Sequence, residues 1–264
     1  MKKTLFSKFI LIGLLTFLLA SCNPDINHGE ANKSQSQTPR PSDPNRYPEV
    51  LLELDGLAAG YSSEQITGFL TGENVPEWMI LPAHTRITLD EYVIKDHFHQ
   101  PQVIIYPVEK LYEINPTAAE NVDELIRILE SHQDLPDLPF LPILNAAQVF
   151  HTHVQYLNFY NGQGMRYLTQ FSQGLTPVNN YDLLYTFQGL TNDGMFYVAV
   201  ILPVIHPELP PAGTISGEEP ASFTEDYQAY IDSVVELLNI LAEDTFQLTL
   251  FKLDALIQTL EVKR

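Results

Sequence analysis

The sequence predicts an α+β fold in which helices pack on an antiparallel β-sheet as a layered sandwich. Residues 147–204 carry aromatic and β-branched stretches separated by turns, the pattern of an antiparallel meander. Within them, Phe196 to Ile201 is continuously apolar, which is typical of a strand covered on both faces. Apolar residues at helical spacing near the C-terminus predict helices that can cover it.

The elements before this meander begin with a short strand, because Val50 to Leu54 is an apolar run. The next residues, Gly56 to Tyr61 and then Ser62 to Glu64, indicate a turn and a helix start. Thr85 to Ile94 alternates between apolar and polar residues, and Gln102 to Val108 is a denser β-branched run. We expect these last two segments to pair as antiparallel strands through the connection between them.

The clearest helix of the N-terminal half begins at Asn115 and Pro116, since Asn is a good N-cap and Pro suits the first helical position. We expect it to end near Ser131. Its apolar stripe consists of Val122, Leu125, Ile126 and Leu129. Residues 135–142 then carry three prolines at a spacing of three, which predicts an extended surface segment laid against apolar neighbours.

The meander itself consists of two hairpins. Their strands are Gln148–Tyr160, Met165–Phe171, Tyr181–Leu190 and Met195–Val204. The turns are Asn161–Gly164 and Thr191–Gly194, and the Asn, Asp and Gly residues of the second turn tolerate the positive φ that a tight hairpin needs.

Two helices and a final strand follow, at Thr224–Leu241, Leu253–Leu260 and Glu261–Val262. This order of a meander, a long helix, a short helix and a terminal strand is similar to that of the PsbP and Mog1-like α/β/α sandwich domains. The similarity covers about the last 115 residues. It implies a fold but no particular chemistry, because that group contains both binding and accessory proteins.

The N-terminal 22 residues indicate where the protein works. Lys2, Lys3 and Lys8 form a basic region, followed by an apolar run from Phe9 to Ala20 that is too short to span about 30 Å of hydrocarbon comfortably. The closing residues Leu-Ala-Ser-Cys resemble the lipobox of bacterial lipoproteins. That resemblance implies cleavage by signal peptidase II before Cys22, which then carries a diacylglycerol thioether and an amide-linked acyl chain such as palmitate.

Cys22 is the only cysteine of the 264 residues, so it has no intramolecular disulfide partner. Several acyl chains, each contributing about 0.8 kcal/mol per buried CH₂, would hold the protein on a bilayer. We therefore expect a lipid-anchored, extracytoplasmic protein of the cell membrane or outer membrane. The alternative is an ordinary signal peptide with a chance cysteine.

Three regions follow from this reading of the chain: a signal peptide at 1–21, the lipidated cysteine with a tether at 22–46, and a globular domain at 47–264. The tether is rich in Ser, Gln, Asn and Pro and has almost no apolar side chain. As a flexible coil it would reach about 25 to 30 Å from the membrane.

The charge of the chain excludes one class of partner. Of the 14 basic residues three lie in the signal peptide, which leaves 11 against 33 acidic residues and a formal charge of −22 after cleavage. Such a surface repels nucleic acid, so nucleic-acid binding is not expected. The acidic surface serves solubility or, alternatively, attracts cationic ligands.

Sequence motifs of common enzymes are absent. There is no P-loop, no dinucleotide fingerprint, no G-x-S-x-G elbow, no S-x-x-K and no H-E-x-x-H. We therefore predict no cofactor and no enzymatic activity, while a hydrolase with a dispersed active site stays an alternative. Its mark would be a buried titratable pair in a cleft.

Two His-x-His pairs are the candidate metal ligands: His97 with His99, and His151 with His153. On a strand, residues i and i+2 face the same side, so two such pairs on adjacent strands would offer four imidazoles to zinc, copper or nickel. The alternative is that these histidines only make hydrogen bonds, and the first pair lies in a polar connection between strands.

Arg166 and Tyr160 are the candidate residues for an organic ligand. Arg166 is one of few cations and would grip a carboxylate, although an internal salt bridge is the other interpretation. Tyr160 would stack on a ring. Taken together, the sequence predicts a lipid-anchored protein that acts by binding, as an envelope accessory or protein-interaction module. A metal- or small-ligand-binding lipoprotein is the first alternative.

Overall fold

The structure, a computed structural model, describes residues 47–68, 75–132 and 135–264. The predicted signal peptide, Cys22 and the tether lie outside the described residues. None of the helices in the described ranges combines the length and the apolarity that a membrane crossing requires.

Nine strands and five helices alternate in groups along these residues. The strands are β1 (Glu49–Leu51), β2 (Gly60–Ile66), β3 (His84–Asp90), β4 (Gln102–Pro107), β5 (Ala147–Phe159), β6 (Gly162–Ser172), β7 (Leu184–Thr191), β8 (Phe196–Pro203) and β9 (Glu261–Lys263). The helices are α1 (Val108–Ile114), α2 (Pro116–Ser131), α3 (Ser222–Glu225), α4 (Tyr227–Ile240) and α5 (Leu250–Thr259).

Seven of the strands form one antiparallel sheet in the order β2-β3-β4-β8-β7-β6-β5, and β1 pairs with β9 in a second small sheet. The predicted α+β class with an antiparallel sheet is confirmed. The meander is β5 to β8, and β3 pairs with β4 as expected.

The predicted helix start at Ser62 to Glu64 is wrong, since these residues belong to β2. This strand pairs with β3 along its full length, from Gly60 opposite Asp90 to Ile66 opposite His84. Pairing with a neighbour overrides the local preference, and polar residues suit a strand at the edge of a sheet.

The large sheet separates two apolar cores because strand residues alternate between its faces. On β4, Val103 and Ile105 enter the core beneath α4 and α5, whereas Ile104 and Tyr106 enter the core beneath α1 and α2. This arrangement explains why the run from Val103 to Ile105 is apolar without interruption. The domain is therefore a three-layer sandwich of helices, sheet and helices.

The start of α2 is fixed by a buried N-cap, as predicted. Asn115 Oδ1 accepts a hydrogen bond from the Ala118 backbone N–H at 3.0 Å, and Pro116 occupies the first helical position. The proline-rich segment after this helix forms no helix or strand and bends twice, and it is not a surface segment throughout, because three of its apolar residues complete the core under α2. These are Leu138, Phe140 and Leu141.

Candidate functional site

The first histidine pair lies in the connection between β3 and β4 and not on a strand. His97 uses both ring nitrogens within the protein: Nε2–H donates to the Leu183 carbonyl at 2.7 Å, and Nδ1 accepts from the His99 backbone N–H at 3.1 Å. Burial lowers the pKa of both rings, that of His99 to about 4. The bonds of His97 are those of a structural residue that holds the loop against Leu183, the residue just before β7.

The second pair lies on β5 at a β-bulge. Thr152 pairs with Leu168 and Gln155 with Arg166, so two residues of β5 oppose one of β6, and His153 has φ of +53°. Thr152 Oγ1 donates to Asn239 Oδ1, and His153 Nε2 donates to the Leu238 carbonyl at 2.7 Å. Thr152 and His153 are consecutive on β5, and both side chains contact the end of α4. The regular alternation that would place His151 and His153 on one face is therefore broken.

The two pairs are not on adjacent strands either. β5 is the edge strand of the sheet, and three strands separate it from β4. Over the ranges that the structure describes, no three His, Cys, Asp or Glu side chains are grouped so as to hold a metal ion. The four-histidine site expected from His97, His99, His151 and His153 is therefore not formed.

Arg166 lies in the interior with no exposed surface and is held by residues of this chain. Its Nε–H donates to Asp254 Oδ1 at 3.2 Å, and Nη2 donates to Gln155 Oε1 at 2.5 Å. Further bonds join Nη1 to the His153 carbonyl and Nη2 to Glu243. The carboxylates that bind Arg166 are thus those of Asp254 and Glu243 in this same chain, as expected of an internal salt bridge and not of a residue that binds a ligand.

Tyr160, in contrast, is exposed. Its side chain is 71% exposed at the tip of the β5–β6 hairpin, and its backbone N–H donates to the Leu260 carbonyl at 3.0 Å. Arg166 is buried and Tyr160 is a surface residue, so the structure does not join them in a site.

The groups around Arg166 meet only one of the two criteria expected of a hydrolase, because they include a buried titratable pair but do not line a cleft that the structure describes. Tyr185 donates its hydroxyl to Asp254 Oδ1 at 2.8 Å, and burial raises the pKa of both side chains although Arg166 opposes this effect. Neither of the two cavities described below is lined by these residues. In the part of the chain that the structure describes, the cluster thus lies in the core and outside both cavities.

A cavity of about 210 Å³ lies on the other face of the sheet, and we call it the Tyr106 cavity. It lies against β2, β3 and β4, on the face of the sheet that α1 and α2 cover. Its walls are Ile66, Thr67, Leu81, His84, Arg86, Gln102, Ile104, Tyr106 and Pro142. A second, larger depression at the ends of β5 and β6 is open to solvent and lined by small polar residues and alanines, so it is the poorer candidate.

Strand register explains how polar groups come together in this cavity. Arg86 of β3 lies opposite Glu64 of β2 and Ile104 of β4, and His84 lies opposite Ile66. The His84 ring packs on the Tyr106 ring with a centroid distance of 4.8 Å. These even-numbered residues share one face, so three neighbouring strands supply one wall.

Tyr106 is the unusual member of this wall. Its side chain is completely buried, and its hydroxyl has no hydrogen-bond partner among the described residues. Burial raises the pKa of Tyr106, so the hydroxyl stays protonated at neutral pH. A buried polar group without a partner is rare in proteins, and such a group beside a cavity can be satisfied by a water, an ion or a ligand that occupies the cavity.

His84 is held in one tautomer. Its Nδ1–H donates to the Pro82 carbonyl at 2.8 Å, and burial, as the largest effect, lowers the pKa of the ring. The ring is therefore neutral near pH 7. Its other nitrogen, Nε2, is left as a hydrogen-bond acceptor, since no partner for it is found in the part of the chain that the structure describes.

The remaining wall of the cavity is anchored to α2. Asn115 Nδ2 donates to the Glu77 carbonyl at 2.9 Å and to the Ile80 carbonyl at 2.8 Å, which fixes the chain just before Leu81. At the end of β2, Gly68 packs so closely that a Cβ placed on it would lie 2.6 Å from the Ala83 backbone nitrogen. Backbone contacts thus hold the segments that bring Thr67, Leu81 and His84 to the cavity wall.

Sequence reasoning missed His84, Arg86 and Tyr106. The one available signal was the alternation of β3, whose even-numbered members His84 and Arg86 are polar beside a strand that must be covered on both faces. Comparison of the chain with protein-family models, with curated proteins and with solved structures finds no match.

Proposed function

We propose that this chain is an exported lipoprotein whose globular domain acts by binding a small ligand in the Tyr106 cavity. The observation that supports the ligand most directly is the fully buried Tyr106 hydroxyl without a partner among the described residues, on the wall of a cavity of about 210 Å³. An apolar cavity of about 150 Å³ holds benzene, so this one has room for a ligand of somewhat larger size.

The membrane location is supported by the N-terminal sequence. Leu-Ala-Ser-Cys follows a basic region and an apolar run, as in bacterial lipoproteins, and the lone Cys22 is suited to acylation. The polar segment that follows would lift the domain off the bilayer.

Binding, as opposed to catalysis, agrees with the protonation states in the cavity. Burial keeps His84 neutral and Tyr106 protonated, so His84 Nε2 accepts a hydrogen bond and the Tyr106 hydroxyl donates one. Neither pKa is shifted toward neutrality, as a general acid or base working at pH 7 would need.

The test uses a soluble mature chain, residues 22–264 with Cys22→Ala, labelled with ¹⁵N. Neutral, anionic and cationic compounds of about six to ten heavy atoms are titrated while backbone amide shifts of β3 and β4 are followed. We expect at least one compound to move these shifts in the parent protein. Thr67→Trp, which places a large ring on the cavity wall, should abolish that response.

Ser62→Trp is the matched control, because Ser62 is exposed on β2, the strand that ends just before Thr67, but does not line the cavity. It should bind like the parent. The proposal fails if no compound binds in the cavity and if the native acylated protein, analysed by native mass spectrometry, carries no small molecule.

A protein partner is the second candidate, and the edge strand β2 favours it. In the described ranges β2 pairs with β3 alone, and its residues Tyr61 to Gln65 are all exposed. The open edge of such a strand can pair with an extended segment of another protein. Acylated protein used as bait in an envelope extract should then recover a defined partner, and Ser63→Lys on the edge should lose it.

A further inference from the structure

The polar groups of the Tyr106 cavity specify the hydrogen bonds that a ligand must make. The Tyr106 hydroxyl is protonated and can donate, so it calls for an acceptor on the ligand. His84 Nε2 accepts, because Nδ1–H is already bonded to the Pro82 carbonyl. The ligand must therefore carry an acceptor and, at a second position, a donor.

Arg86 is the one charged residue among the described residues that line the cavity. Arg86 belongs to its wall and is close enough to Tyr106 and His84 to act on the pKa of both. The described residues take one of its five N–H groups, through Glu64 Oε2 at 3.0 Å. This ion pair is largely exposed, with side-chain exposures of 39% and 65%, so Glu64 competes only weakly for the guanidinium.

This local cation selects against a positively charged ligand and in favour of an anion. The formal net charge of −22 of the mature chain does not cancel that preference, because charges beyond about 8 Å are screened at physiological ionic strength. One guanidinium matches one carboxylate, which can accept two parallel N–H bonds. A doubly charged phosphate would be left with an uncompensated charge.

The rest of the wall is apolar: Ile66, Leu81, Ile104 and Pro142. They suit a short branched or cyclic hydrocarbon group, which the volume of about 210 Å³ accommodates. Gln102, half-buried on the same wall, adds an amide that donates or accepts.

We infer that the Tyr106 cavity binds a small hydroxycarboxylic acid. The carboxylate of this ligand accepts hydrogen bonds from Arg86 and from the Tyr106 hydroxyl, and the ligand's own hydroxyl donates to His84 Nε2. This inference rests on the proposed binding function and names the ligand class for that site. The carboxylate supplies the acceptor that Tyr106 lacks, and the ligand hydroxyl supplies the donor that His84 lacks.

The experiment titrates three matched probes into the soluble mature chain by calorimetry, in a Tris-chloride buffer free of carboxylates. The probes are 2-hydroxyisovalerate, its amide, which lacks the charge, and isovalerate, which lacks the hydroxyl. We expect 2-hydroxyisovalerate to bind about tenfold or more tightly than the amide, and severalfold more tightly than isovalerate.

Two variants assign these differences to residues. Arg86→Gln should remove the preference for the acid over the amide, and Tyr106→Phe should weaken 2-hydroxyisovalerate about tenfold. Arg127→Gln is the control for Arg86→Gln, because it makes the same charge change at an exposed position of α2 away from the cavity. A cooperative urea-unfolding transition for each variant, with an m-value equal to that of the parent, shows that the variant is folded.

The outcomes separate the two proposals. Equal affinity for acid and amide, or acid binding that Arg86→Gln and Tyr106→Phe leave unchanged, overturns the ligand class. A neutral or cationic compound that occupies the cavity while 2-hydroxyisovalerate does not also overturns it, and the small-ligand function then stands. If nothing occupies the cavity, both proposals fail.

Discussion

Tyr106 of β4 and Tyr197 of β8 lie opposite each other in the sheet, and both are completely buried, yet only one hydroxyl has a partner. Tyr197 donates to Gln188 Oε1 at 2.8 Å, whereas the Tyr106 hydroxyl has no hydrogen bond within the described residues. The two residues thus share a layer, a residue type and a degree of burial. They differ only in what surrounds the oxygen.

Removing each hydroxyl should have opposite consequences for stability. Tyr197→Phe loses a buried hydrogen bond and should lower the free energy of unfolding by about 1 kcal/mol. Tyr106→Phe removes a buried hydroxyl that makes no hydrogen bond in the ligand-free protein. We therefore expect the free energy of unfolding to stay the same or to rise by up to about 1 kcal/mol. Urea unfolding of the soluble mature chain measures both.

Each variant serves as the control of the other, because the same atom is deleted at facing positions. A loss for Tyr106→Phe as large as that for Tyr197→Phe would mean that the Tyr106 hydroxyl is satisfied in the free protein. The case for an incoming ligand would then lose its main support.

A methyl group at Gly68 should disturb the cavity wall through residues 81–83. Its Cβ would lie 2.6 Å from the Ala83 nitrogen and 2.9 Å from the Leu81 carbonyl oxygen, and both are backbone atoms that cannot swing away. Overpacking of this kind costs about 1 to 3 kcal/mol, and a shift of residues 81–83 would move Leu81 and His84. We expect Gly68→Ala to lower stability and to weaken ligand binding.

Gly60→Ala is the matched control at the other end of β2, where an added Cβ meets no atom within 4 Å. Both variants are compared by urea unfolding and by titration with 2-hydroxyisovalerate. Equal behaviour of the two variants would show that the close contact at Gly68 is relaxed in solution.

Local signals in the sequence predict elements well here, because their physics acts over a few residues. Asn115 and Pro116 start α2 as expected, and the turn at Thr191–Gly194 joins β7 to β8. β2 was missed because an edge strand depends on its partner and not on its own propensity. The pairing of β4 with β8, across about 90 residues of chain, has no local signal at all.

The candidate site was predicted less well, for two physical reasons. The spacing of His151 and His153 assumes a regular strand, and the bulge at His153 breaks that regularity. Tyr106 lies within an apolar run, and only the three-dimensional surroundings show that its hydroxyl has no partner. Residue type alone therefore drew attention to the histidine pairs and away from the cavity.

Acid should destabilise the domain partly through His99. Burial, and to a lesser extent the neighbouring His97, lowers the pKa of His99 to about 4 in the folded protein, from an ordinary value of 6.5. A depressed folded-state pKa means that the unfolded chain binds the proton first as the pH falls. The stabilisation is therefore complete above pH 6.5 and is lost as the pH falls toward 4, with about 2 kcal/mol lost by pH 5.

His99→Gln should remove this part of the pH dependence. Urea unfolding at pH 7.5, 6 and 5 should show a smaller loss of stability for the variant than for the parent. His132→Gln, at an exposed position after α2, is the control and should follow the parent. If the parent and His99→Gln lose stability equally over this range, the ring of His99 is solvated in the folded protein.

Arg166 should be the most sensitive charged residue of the domain, because its pairing with Asp254 is buried. Arg166→Met would leave the Asp254 carboxylate in the core with Tyr185 as its remaining hydrogen-bond donor in the described structure, and we expect a loss of about 3 to 5 kcal/mol. Arg86→Met, at a largely exposed ion pair, should cost no more than about 1 kcal/mol.

The double variant Arg166→Met with Asp254→Leu separates pairing from packing. Replacing both charges removes the unpaired carboxylate, and apolar side chains of similar volume fill the space, so the double variant should be more stable than Arg166→Met alone. Urea unfolding of the single and double variants completes the cycle. Additive losses would show that Arg166 stabilises the core through Gln155, Glu243 and the His153 carbonyl, and not through Asp254.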